Sequence, residues 1–106
     1  MRRRSVRKRG NFVKTYVATT SLDNFELRYY KTVAKGLVEE KDLSYYGVYV
    51  EKHEDGKLVE EMGSGPLCED DVRISQVIEL LAENSVTPFA LLEVLDEMEV
   101  LEQAYH

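Results

Sequence analysis

Cysteine occurs once in the 106 residues, at Cys68, and tryptophan not at all. A single thiol leaves no intramolecular disulfide and no cysteine-based zinc site, and it makes the cytoplasm the default compartment. Long apolar runs are also missing. No stretch approaches the ~20 residues that cross a bilayer, so no membrane span is expected. The basic N-terminal stretch is not followed by an apolar h-region, so no secretory signal is expected either. Hydrophobic residues make up 43% and charged residues 32%, too apolar for wholesale disorder, and the length suits one core and no second.

Charge is unevenly divided. The net charge of -6 combines a start rich in arginine with an acidic remainder. Residues 1–14 hold seven basic side chains and no acidic one; from Pro66 onward Arg73 stands alone against ten acids. Such asymmetry reads as a basic arm, residues 1–11, joined to an acidic domain over residues 12–106. The acidic body repels nucleic acid, so any phosphate contact falls to Arg2, Arg3, Arg4, Arg7, Lys8 and Arg9, and such binding would be weak and salt-dependent. The bland alternative is a disordered, solvated tail.

Beyond the arm the composition turns to Val, Thr, Tyr and Phe through Thr20, which suits a pleated surface. A turn at Ser21, Asp23 and Asn24 follows. The next segment alternates, with Phe25, Leu27, Tyr29 and Val33 on one face and Glu26, Arg28, Tyr30 and Thr32 on the other, which is strand periodicity. Gly36 to Asp42 reads as a charged connection. Tyr45 to His53 reads as a further strand, with Tyr46, Val48 and Val50 opposite Tyr45, Tyr49 and Glu51. Asp55-Gly56 is a hairpin signal, and the register it sets stays open: a strict two-residue loop pairs Val50 with Glu61, while a longer loop or a bulge shifts the pairing. Gly63-Ser64-Gly65-Pro66 is expected to break the strand and reverse the chain. Glu69, Asp70 and Asp71 suit a helix N-terminus, and Ile74, Val77, Ile78 and Leu81 form one helical stripe. Asn84 or Ser85 ends that helix. Thr87 is the expected N-cap of a last helix, with Pro88 at its first position, and Leu91, Leu92, Val94, Leu95, Met98, Leu101 and Tyr105 share its broad apolar face.

The expected architecture is α+β: an antiparallel meander sheet of three or four strands, with two C-terminal helices packed on one face. Tyr46-Gly47 opening a strand, the charged hairpin, the Ile/Leu-rich helix and the Asn84-Ser85-Val86-Thr87-Pro88 junction before an acidic apolar helix through Asp96 come in a telling order. From Leu27 to Met98 this order resembles a family of short uncharacterised proteins from Gram-positive, Clostridia-like anaerobic bacteria, known only as a domain of unknown function. The resemblance implies no activity, cofactor or catalytic residue.

No constellation of acid, base, nucleophile or metal ligands emerges, so no catalytic residue, metal or cofactor is assigned. His53 lies among Glu51, Lys52, Glu54 and Asp55, but strand spacing sends His53 and Glu54 to opposite faces; a solvated hairpin tip is expected rather than a zinc site. Cys68 precedes three acids that oppose thiolate formation, which suits a structural cysteine. The glycines before Pro66 lack the Lys-Ser/Thr of a phosphate loop. Tyr30, Tyr45 and Tyr49 are expected on a strand face away from the core. They suit cross-strand packing, or a protein interface better than RNA. Phe89 and Val100, eleven residues apart, read as a second apolar patch on the acidic side of the last helix, suited to self-association. The function expected is a non-enzymatic, cytoplasmic protein-interaction module with a protein partner or a second copy; the alternative is a nucleic-acid- or ribosome-associated accessory factor using the arm.

Overall fold

The computed structural model describes residues 12–38, 41–98 and 100. Four strands, β1 (Phe12–Ser21), β2 (Glu26–Val38), β3 (Lys41–Glu54) and β4 (Lys57–Gly63), precede two helices, α1 (Asp71–Glu83) and α2 (Leu91–Glu97). The strands form one antiparallel meander in the order β1-β2-β3-β4, so residues 12–20 supply a fourth strand. The basic side chains Arg2 to Arg9, with Leu101 and Tyr105, lie outside the described residues.

Alternation sorts the side chains as the sequence suggests. Leu27 and Tyr29 of β2 and Val48 and Val50 of β3 are wholly buried, joined by Ile74, Val77, Ile78 and Leu81 of α1 and Leu91 and Leu95 of α2. Each such aliphatic side chain contributes about 1.5–3 kcal/mol of burial. The Tyr29 hydroxyl donates to the Val86 carbonyl oxygen at 2.9 Å, fastening β2 to the junction between the helices. Burial pushes the Tyr29 phenol up to about 12, against a hydrogen bond with Thr20 that lowers it. Thr20 donates to the Ala82 carbonyl at 2.8 Å, and an ion pair between Lys31 and Asp71 holds the other end of α1.

Local signals end the helices. The Asp70 side chain caps α1 by accepting from the Arg73 N–H at 3.1 Å, satisfying one free donor. At its far end the Ser85 N–H donates to Ala82 and the Val86 N–H to Leu81, and Ser85 takes a φ of 52°. That is a Schellman motif, with Val86 and Leu81 as its apolar pair.

Several expectations need correction. Of the supposed connection from Gly36 to Asp42, residues 36–38 and 41–42 are strand: ladder pairs run out through Gly36↔Leu43 to Val38↔Lys41, because pairing between β2 and β3 satisfies the backbone whatever the charge of the side chains. The hairpin at Asp55-Gly56 forms as expected, and its open register is resolved: the loop is two residues long, with φ of 53° and 78°, the primed-turn geometry. A bulge then shifts the register by one, from His53↔Leu58 to Lys52↔Glu60, and brings Val50 opposite Met62. The chain after Gly63 does not simply turn back. Ser64 N–H donates to the Val48 carbonyl at 2.9 Å, and Leu67 and Cys68 pair with Tyr46, so the segment continues along β3. The last helix starts at Leu91 instead of Pro88. Thr87 and Pro88 form a turn whose carbonyls accept from Ala90 and Leu91.

Val100 is the clearest correction. It is 3% exposed and belongs to the core, whereas Phe89 is 87% exposed. Phe89 sits in the turn ahead of the seven-residue α2, so a spacing of eleven does not bring the two to one helical angle, and they form no common patch.

Candidate functional site

Alternation that buries Leu27 and Val48 turns Arg28 and Tyr30 of β2, and Tyr45, Gly47, Tyr49, Glu51 and His53 of β3, to the opposite face. Register then aligns tyrosines across three strands. Tyr16 of β1 pairs with Tyr30, and Tyr30 with Tyr49. Their rings meet edge to face, with centroids 6.0 and 6.1 Å apart, the arrangement favoured by the ring quadrupole. Tyr45 shares this face and lies beside Gly36. Tyr16 is 57% exposed, while Tyr30, Tyr45 and Tyr49 are half-buried.

Glu51 sits at the centre of the face with its side chain only 10% exposed. Lys14, reaching across from β1, places Nζ 2.8 Å from Glu51 Oε2. The same ammonium lies 4.7 Å from the Tyr30 ring centroid and 4.4 Å from that of Tyr49. Glu51 Oε1 accepts from the Tyr30 hydroxyl at 3.1 Å and faces His53 Nε2 at 2.9 Å. Burial pushes the Glu51 carboxyl up, but the hydrogen bonds of His53, Lys14 and Tyr30 together outweigh it and hold the group below its ordinary value. Burial first, then the Glu51 carboxylate, raise the Tyr30 phenol against the opposing pull of Arg28 and Lys14. Glu26 pairs with Arg28 beside them.

His53 is not a solvated hairpin tip. Its side chain is 12% exposed, because Glu51, two residues back on the same face, accepts from it. With Nε2 turned to the carboxylate, Nδ1 is enclosed and without a hydrogen-bond partner among the described residues. The imidazole also borders an open hollow of about 260 Å³ between the two hairpin turns, whose lining includes Asp23, Glu26, Arg28 and Asp55.

Chemically, a carboxylate already engaged by three groups is a poor general base, whereas a carboxylate between two tyrosine rings suits a cation. Among the described residues no group of three or more His, Cys, Asp or Glu side chains could hold a metal ion. Cys68 is half-buried, with Sγ 3.7 Å from the Asp70 carbonyl oxygen. A separate apolar groove of about 370 Å³, lined by Leu80, Leu81, Val86, Val94 and Met98 with Asn84, runs between the helices. Among the described residues no helix is long and apolar enough to cross a membrane.

The structure thus gathers Tyr30, Tyr45 and Tyr49 on one face, and separates Phe89 from Val100. Reading the sequence missed Lys14 and Tyr16 as neighbours of that face and His53 as part of its centre. The available signal was Glu51, an acid at a strand position flanked two residues away by Tyr49 and His53. The model of the family of unknown function (DUF6514) matches residues 9–100. The chain belongs to that family. The DUF6514 match takes in every element from β1 to α2, so it extends past the Leu27–Met98 resemblance and includes Lys14 and Tyr16. No curated protein and no solved structure matches the chain.

Proposed function

We propose that this DUF6514 chain is a non-enzymatic protein-interaction module of the cytoplasm, and that it docks a partner on the tyrosine face of its sheet. One observation carries the reading: Tyr16, Tyr30 and Tyr49 stand in an edge-to-face row, with Lys14 over the rings of Tyr30 and Tyr49, on a face that the two helices leave open. Tyrosine is enriched at the centres of protein interfaces, where it supplies large contact area at low entropic cost. Rings held on a four-stranded ladder are already ordered, which reduces the cost of binding further. The six basic residues between Arg2 and Arg9 support a second reading, an accessory factor bound to nucleic acid or the ribosome. There each phosphate contact releases about 0.9 counterion on duplex DNA, and affinity collapses as salt rises.

Co-purification from the native cell, with and without nuclease, separates the two. The docking reading expects a protein partner retained after nuclease and lost from a folded Tyr16→Ala/Tyr49→Ala variant. A partner set that vanishes with nuclease, or that is indifferent to the two tyrosines, overturns it.

A further inference from the structure

We propose that Tyr30, Tyr49 and Glu51 form a receptor for a primary ammonium group, that Lys14 is its internal occupant, and that docking exchanges Lys14 for a lysine side chain of the partner protein. This rests on the docking reading above and adds the chemistry by which the partner is recognised.

Three observations converge. The Lys14 ammonium stands 4.7 and 4.4 Å from the two ring centroids, inside the ~6 Å reach over which a ring face attracts a cation. It completes the site with a 2.8 Å contact to a carboxylate that is itself nearly buried. Two rings and one carboxylate oxygen around a single nitrogen match a compact point charge better than the planar fork of a guanidinium. The receptor and its occupant also stand on different supports. Tyr30, Tyr49 and Glu51 belong to the two central strands, β2 and β3, whereas Lys14 arrives from the edge strand β1, whose pairing shifts register between Tyr16 and Ala18. The Lys14 side chain is 34% exposed, so its ammonium can leave toward solvent without opening the core. The charge left behind asks for a replacement. Glu61 of β4 lies directly opposite Glu51, and with Lys14 withdrawn two carboxylates face each other across the ladder, an unfavourable pair. An internal occupant competes at a high effective concentration, so a free ammonium binds the intact protein poorly, while a lysine delivered with the rest of an interface does not face that handicap.

The test uses the full chain and n-butylammonium chloride, an analogue of the lysine side chain. Binding is read from the ring resonances of Tyr30 and Tyr49 by NMR. In Lys14→Ala the resonances are expected to shift saturably with butylammonium, and at least about tenfold more weakly in the intact protein. n-Butanol and sodium chloride at matched concentration should have no such effect, and Lys14→Ala/Glu51→Gln should abolish the response. Lys14→Thr, with a better strand former on β1, serves if the alanine variant does not fold. Equal responses in the intact protein and Lys14→Ala, a response that survives in Lys14→Ala/Glu51→Gln, or the same response to butanol or sodium chloride, overturn the receptor. Butylammonium binding with no tyrosine-dependent partner overturns the docking reading on which the exchange rests. A tyrosine-dependent partner without butylammonium binding overturns the receptor alone.

Discussion

A β-carbon added to Gly47 would stand 2.1 Å from the carbonyl oxygen of Gly65 and 2.8 Å from the Thr32 hydroxyl. The chain leaving β4 therefore lies over the tyrosine face at a β3 position that has no side chain, and Thr32 beneath it is buried at 5% exposure. Gly65 itself takes a φ of 75°, a conformation that glycine reaches without steric cost.

Gly47→Ala is expected to lower stability by about 1–3 kcal/mol, because the obstructing atom is backbone and cannot rotate away. Gly36→Ala is the control. Its nearest neighbour would be the Tyr45 ring at 3.8 Å, ordinary contact, and replacing a strand glycine should leave stability unchanged or raise it by up to about 1 kcal/mol. Urea denaturation of the two variants beside the parent protein checks the contrast.

Ser85 holds a left-handed conformation at the end of α1 where glycine is the usual residue. Ser85→Gly relieves the steric cost of the β-carbon but frees the unfolded chain. The Schellman bonds from Ser85 and Val86 use backbone alone and survive the change. A gain of a few tenths to about 1 kcal/mol is expected in thermal denaturation. A loss would show that the serine side chain matters more than its φ.

Glu51 supplies a pH dependence of definite sign. Its folded-state value lies below the ordinary one, so its stabilisation is fully present above the unfolded glutamate value of about 4.3. It is lost as pH falls through the lower folded value. Glu51→Gln should be less stable than the parent at neutral pH, by roughly 1.5–3 kcal/mol for hydrogen bonds to a charged group. The gap should narrow on acidification below about pH 4.3. Melting temperatures of both proteins across that range test it; a gap independent of pH removes the carboxylate from the account.

Phe89 and Val100 should respond oppositely to substitution. Phe89→Asp changes an exposed turn residue and is expected to stay within about 0.5 kcal/mol of the parent. Val100→Ala empties space in the core and should cost about 1–3 kcal/mol.

Facing was legible along the chain. The split of Leu27 and Tyr29 from Arg28 and Tyr30, and of Val48 and Val50 from Tyr49 and Glu51, follows from the two-residue repeat of a pleated strand, which each segment carries within itself. The same holds for the stripe Ile74, Val77, Ile78 and Leu81, and for Asp55-Gly56 as a primed turn. Lys14 and Glu51 are different: 37 positions separate them, and they meet through two successive strand registers, neither of which is a local property. A bulge after Tyr16 interrupts the first of those registers, while β2 pairs with β3 without a shift, and a slip of one residue would send the side chains of a strand to the other face. Val100 likewise passed from supposed surface to core because α2 begins at Leu91, after Phe89, and ends at Glu97, so the two residues do not share a helical angle. Periodicity states which residues turn the same way; only the assembled sheet and its helices decide which of them touch, because contact depends on registers and element ends that the lowest free energy of the whole chain selects.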